Sequence, residues 1–91
     1  MPRNIEQTKQ FSKDLKKISR SGRYTFEDFE KVLNFLVSGT VLPHVYKDHI
    51  LVGNWKDHRE CHIKPDWLLI YKIDEDCVTL VRTGSHSELF F

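Results

Sequence analysis

An α+β fold, two N-terminal helices packed on a small and mainly antiparallel sheet, is predicted for this chain by three observations. Apolar residues recur at helical spacing through the first part of the sequence, with lysines and arginines on the other side. From Arg59 onward they give way to alternation and to short apolar runs, the pattern of strands. No repeat, linker or low-complexity segment interrupts either part, so residues 1–91 read as a single domain. A domain of that size buries only about 60 to 65% of its unfolded surface, which leaves little room for a large enclosed pocket.

The opening element is a short strand over residues 3 to 8. Phe11, Leu15 and Ile18 then mark a helix with Lys13, Lys16, Lys17 and Arg20 opposite, closed by Ser21-Gly22. Thr25 followed by Asp28 resembles a capping box with the shorter acid, and Tyr24 is placed to staple onto Phe29. Phe26, Phe29, Val32, Leu33 and Leu36 form the buried stripe of this second helix, which Ser38-Gly39 ends. A loop from Thr40 to Asn54 follows, with Ile50-Leu51-Val52 as a possible short strand. Arg59 to Lys64 alternates, with Cys61 and Ile63 on one face and Glu60, His62 and Lys64 on the other. Pro65-Asp66 turns the chain into the apolar run Trp67 to Ile73. Asp74-Glu75-Asp76 then links it as a hairpin to Cys77 through Thr83, and Gly84 releases the chain into a tail. That hairpin brings Trp67 close to Arg82 and Thr83.

Composition excludes some functions. No apolar stretch approaches the roughly 18 residues of a membrane span, and Met1-Pro2-Arg3-Asn4 lacks the apolar core of a signal peptide, so the expected location is the cytoplasm. Cys61 and Cys77 match no CxxC pattern and read as small hydrophobes. His44, His49, His58, His62 and His86 include no helical i, i+4 pair, so neither a metal nor any other cofactor is expected. The net charge is only +1, yet residues 1 to 23 hold seven Lys or Arg against Glu6 and Asp14, a local excess of +5. A basic end of this kind suits a polyanion, because each neutralised phosphate releases counterions. Lys13, Lys16 and Lys17 are its candidates for phosphate contact, although a solvated amphipathic helix carries the same pattern.

Two polar motifs stand among the strand-like runs, Cys61 to Asp66 and Gly84 to Phe90. Between them they supply His62, Asp66, Trp67, Arg82, His86 and Phe90. Cleavage of an RNA phosphodiester uses such groups: imidazoles and a carboxylate to move protons, a cation for the phosphorane, and aromatic faces for bases. Trp55 and His58 read as structural or surface residues.

The same residues carry a resemblance. Asp48-His49 with Gly53, Arg59-Glu60-Cys61-His62-Ile63-Lys64-Pro65-Asp66, Leu68-Leu69-Ile70-Tyr71 and Arg82-Thr83-Gly84-Ser85-His86-Ser87-Glu88-Leu89-Phe90 closely resemble the YafQ-like toxins of the RelE/ParE superfamily. The match in layout spans residues 5 to 90. The resemblance implies a RelE-like fold and a toxin of a type II toxin–antitoxin pair, an endoribonuclease that cuts mRNA in the ribosomal decoding site, against the 16S rRNA. It also implies a cognate antitoxin protein, expected to wrap the basic helices or to cover the site with an acidic segment. Carried over by motif, His49, His62, Asp66 and His86 are the catalytic positions, Trp67 and Phe90 place the substrate, and Arg82 holds phosphate. Glu60 stands where some relatives have aspartate, and Phe91 extends the usual Leu-Phe ending.

The mechanism expected without a metal is attack by the 2′-hydroxyl on the adjacent phosphorus, leaving a 2′,3′-cyclic phosphate and a 5′-hydroxyl. His86 is expected to protonate the leaving oxygen, Asp66 or His49 to accept the 2′ proton, and His62 and Arg82 to stabilise the phosphorane. Two alternatives stand beside it: a non-catalytic RNA- or ribosome-binding module, and a ParE-like inhibitor of gyrase.

Overall fold

β1 (Asn4–Gln7), α1 (Lys9–Ser21) and α2 (Phe26–Ser38) open the chain in the order that the apolar spacing predicts. The computed structural model describes residues 2–90. Thr8 caps α1, its hydroxyl oxygen accepting the Phe11 N–H at 2.9 Å and donating to the Val81 carbonyl at 2.8 Å. One residue thus starts the helix and pins it to the sheet. Gly22 and Gly39, at φ 69° and 80°, end α1 and α2 in the left-handed conformation that glycine adopts without steric cost.

The start of α2 differs from expectation. Thr25 Oγ1 donates to Asp28 Oδ2 at 2.9 Å and caps no backbone N–H, because the shorter acid meets the hydroxyl directly. Tyr24, expected to staple onto Phe29, stacks on Trp67 with ring centroids 4.8 Å apart. Phe26 was expected in the buried stripe but is 60% exposed. It occupies the first helical position and rests its ring on Phe29 at 5.7 Å. Phe29, Val32 and Leu36 form the buried stripe, with Leu33 half-buried beside them.

Four further strands follow: β2 (His49–Ile50), β3 (Arg59–Lys64), β4 (Trp67–Ile73) and β5 (Cys77–Gly84). Their spatial order is β1-β5-β4-β3-β2, with β1 parallel to β5 and every other pair antiparallel. β2 begins one residue before the short strand suggested at 50–52 and stops at Ile50. Short 3-10 turns at His44–Tyr46 and Gly53–Trp55 lie on either side of it. The tail after Gly84 was expected to be irregular. It forms a last short helix, α3 (His86–Phe90).

The helices cover one face of the sheet. Phe11, Ile18, Phe29, Val32 and Leu36 meet Cys61, Ile63, Trp67, Leu69, Tyr71, Val78 and Leu80 in one core. Burying each large side chain there contributes about 1.5 to 3 kcal/mol. Asp14 is the charged residue of this interface, 8% exposed. It accepts Arg82 Nε at 2.9 Å, Arg82 Nη2 at 3.1 Å and the Thr83 N–H at 3.2 Å, which ties α1 to β5. Among the described residues, no helix is long and apolar enough to cross a membrane.

Candidate active site

The face of the sheet away from α1 and α2 carries the histidines. Directly opposed residues of antiparallel strands share a face, and His49 pairs with Glu60, Glu60 with Ile70, and His62 with Leu68. Leu68 pairs in turn with Gly84, so the chain leaving β5 starts beside Leu68. Leu89 of α3 then packs on Leu68 and Ile70, with Phe90, Trp55, Leu51 and Val81 around them. This second cluster sets α3 on the histidine face. His49, His62, His86 and Phe90 therefore border one surface, with β2 and β3 on one side and α3 on the other.

The β-side group is tightly joined. Glu60 is 5% exposed and turns Oε1 to within 3.3 Å of His49 Nε2 and 3.6 Å of His62 Nε2. The two imidazoles lie 6.4 Å apart, centroid to centroid. Glu60 Oε2 is buried with no hydrogen-bond partner among the described residues. The Lys47 carbonyl lies 2.7 Å from His49 Nδ1 and accepts its proton, so Nε2 is the nitrogen presented to Glu60. The loop bearing His49 is fixed by Asp48, which accepts Arg59 Nη2 at 2.8 Å and Nε at 3.3 Å as well as the Tyr71 hydroxyl. Burial, and then the Asp48 carboxylate, push the Tyr71 phenol far above its ordinary value. Hydrogen bonding to Asp48 raises Arg59. This anchor therefore stays in one charge state, a neutral phenol and a guanidinium on a carboxylate.

On the other side, α3 is held by a capping box. Glu88 Oε1 accepts the Ser85 N–H at 2.9 Å, while Ser85 Oγ accepts the Glu88 N–H at 3.3 Å. Glu88 Oε2 also receives Lys17 Nζ at 2.8 Å, which joins α1 to α3. The lysine first, and the Ser85 N–H second, hold the Glu88 carboxyl down at about 2. Gly84 makes room for this carboxylate, since a Cβ there would meet Glu88 Oε1 at 3.2 Å. Exposed His86 lies over Phe90 at 5.3 Å, and Phe90 meets Trp55 edge-on at 6.4 Å. Trp55 and His58, read from sequence as structural or surface residues, thus flank the aromatic end of the site, 5.3 Å apart.

Residues 3–91 match the family described as bacterial toxin of type II toxin-antitoxin system, YafQ. The chain belongs to the YafQ family. It is 40% identical over 89 residues to the mRNA interferase toxin YafQ of Escherichia coli strain K12, covering 97% of this chain and 96% of that protein. Its fold superposes on YafQ in a crystal structure of the Escherichia coli DinJ–YafQ complex with a TM-score of 0.86, at 39% identity and covering 98% and 99% of the two chains. It superposes on a metal-bound toxin from Helicobacter pylori with a TM-score of 0.89, at 48% identity and covering 99% and 100%.

In this YafQ-family toxin, not every residue singled out from sequence reaches the histidine surface. Trp67 was expected as an exposed aromatic that places substrate, yet it is 1% exposed. It shares the parity of Leu69 and Tyr71, and its Nε1 donates 2.8 Å to Thr83 Oγ1, which donates to the Leu68 carbonyl. Its ring is closed to a base, and it fixes the β4–β5 register. Asp66 projects from the β3–β4 turn, 59% exposed, with Arg23 Nη2 at 3.4 Å. Arg82 is engaged by Asp14, so a phosphate there competes with a carboxylate. Burial pushes the Asp14 carboxyl up, but hydrogen bonds from Arg82, Gln10 and Thr83 outweigh it and leave the group below its ordinary value. Lys13, Lys17 and Arg82 line one hollow of about 340 Å³, with Asp14 and Glu88. Lys16 lies apart, in the groove that Tyr24, Phe26 and Trp67 border. Among the described residues, no three His, Cys, Asp or Glu side chains form a group able to hold a metal ion.

Two functional features escaped the sequence reading. Glu60 has the same parity as His62 two positions away, which was enough to place it on that face but not to reveal its partners. Ser85-His86-Ser87-Glu88 is a Ser-x-x-Glu capping signature, and it announces α3.

Proposed function

We propose that the chain is an endoribonuclease toxin that cuts mRNA on the ribosome in the cytoplasm, held in check by a cognate antitoxin. The observation that carries this is the shared surface itself: two imidazoles bridged by a buried carboxylate face a helix that presents a third imidazole beside an aromatic ring. The mRNA interferase name of the Escherichia coli relative and the DinJ–YafQ complex support the substrate and the kind of partner.

The proposed chemistry is metal-independent. β3 and β5 flank β4, so their backbones are separated by two strand spacings, about 10 Å, a gap that suits a phosphodiester lying over Leu68. In-line displacement requires a base and an acid on opposite sides of the phosphorus, which β2–β3 and α3 supply. His49 Nε2 accepts the 2′ proton, oriented by Glu60 and by the Lys47 carbonyl. The 2′ oxygen bonds to phosphorus, and His86 gives a proton to the departing 5′ oxygen. The products are a 2′,3′-cyclic phosphate and a 5′-hydroxyl. His62 stabilises the phosphorane charge, and Phe90 offers a face to a base. Arg82 contributes only where phosphate displaces it from Asp14. Asp66 is the less suitable base, since Arg23 and solvent favour its carboxylate form.

The test is to map cuts in a defined mRNA, with and without programmed ribosomes, in EDTA. Ribosome-stimulated cuts with cyclic phosphate ends are expected, and His86→Ala should slow them by about 10² to 10⁴. No cut by the folded protein would replace the nuclease by a binding module and make gyrase the next target.

A further inference from the structure

We propose that the cleft beside His62, between α2 and the turn at His44–Tyr46, binds one further nucleotide of the RNA, the residue next to the scissile phosphodiester. The proposal rests on the ribonuclease reading above. The cleft holds about 390 Å³, within the range of small-ligand sites, about 300 to 1,000 Å³. It exists because β2 is short. β2 pairs only with Arg59 and Glu60, so the edge of β3 beyond them is uncovered by a strand, and the register shifts between His62 and Lys64. His62 lies in the wall of this cleft and within 3.6 Å of Glu60, so it borders the cleft and the catalytic surface together.

Three lysines line the cleft against one carboxylate. Lys64 is paired with that carboxylate, Asp28, at 3.4 Å. Lys31 of α2 and Lys47 form no ion pair with any described residue, which leaves both ammonium groups for a phosphate. Tyr46 and Pro65 supply the apolar surface that a ribose and base need.

The backbone links the two sites. Lys47 has φ 50° and ψ 41°, a left-handed conformation that a lysine rarely adopts. It places the Lys47 side chain in the cleft while the Lys47 carbonyl receives His49 Nδ1. Occupancy of the cleft by a phosphate therefore bears on the segment that orients the base. RNA is favoured over an acidic peptide because His62 makes the cleft continuous with the surface where the cleaved strand must lie.

The experiment measures binding of short single-stranded RNAs that carry a 2′-deoxy residue at the cut site, lengthened one nucleotide at a time in each direction. The native protein and Lys31→Gln/Lys47→Gln are compared, both residues being exposed. Adding the nucleotide that reaches the cleft should tighten binding to the native protein about tenfold, and the double variant should lose that gain. Its salt slope should fall by about 1.4, or 0.7 per lost phosphate contact. Equal gains in both proteins, or no gain on extension in either direction, overturn the assignment. So does a double variant that loses affinity for an acidic antitoxin segment alone. Parallel cleavage of unmodified mRNA separates the two readings: cuts with no lysine effect remove only the cleft, and no cuts by the native protein remove the nuclease.

Discussion

Glu60 sets the orientation of two rings at once, and that makes it the most informative single residue to change. Its Oε1 faces both His49 and His62, and its other oxygen is buried without a described partner. Glu60→Gln keeps the shape and removes the charge, so one amide must meet two imidazoles with mismatched donors and acceptors. Single-turnover cleavage should slow by at least about tenfold, with shifted imidazole resonances for His49 and His62. Unchanged rates and resonances would reduce Glu60 to filler under the loop. The face that His62 takes was legible in the alternation of β3, since Cys61 and Ile63 claim the core. What Glu60 touches was not, because the partner strand holding His49 is two residues long and gives no periodic signal. Trp67 was ambiguous in the sequence for a physical reason: indole serves equally as core and as platform, and only the Thr83 hydrogen bond decides.

At the scale of elements, α3 is too short to be stable alone, and its order comes from its ends. Ser85 and Glu88 close the first turn, Lys17 reaches Glu88 from α1, and Leu89 fills the space over Leu68 and Ile70. The Glu88 carboxyl lies at about 2 in the folded state, below its ordinary 4.5. A depressed carboxyl stabilises the fold fully above its unfolded value and loses that contribution as pH falls through the folded one. Acid should therefore loosen α3 between about pH 4.5 and 2, by an amount that exposure of the pair keeps modest. Amide exchange at Leu89 across that window should report it, and Glu88→Gln should flatten the dependence. A variant with the native acid profile would transfer the effect to other carboxylates, Asp14 first. The two long helices and three long strands were legible because each buries a stripe of regular period. α3 was passed over as a tail because five residues carry no period at all.

Across the whole molecule, Asp14 and Arg82 join the helical layer to the strand that leads into α3. Removing one partner of such a pair leaves the other poorly solvated, so Asp14→Asn should cost about 3 kcal/mol in urea unfolding. Asp14→Leu with Arg82→Met should recover most of that, because two apolar residues leave no stranded charge. Equal losses in both variants would show that shape, not charge, holds α1 in place. The layer arrangement followed from the sequence, whereas this polar link between residues 68 positions apart did not. The parallel pairing of β1 with β5 adds a matter of timing. Asn4 emerges early in synthesis and waits for Cys77, its partner in the sheet. At about 5 to 20 residues per second that wait lasts about 4 to 15 s, and α3 is made later still. While the chain is being made, the β2–β3 histidines exist without the helix that faces them, so each new molecule passes through a harmless infancy in which another protein has time to reach it.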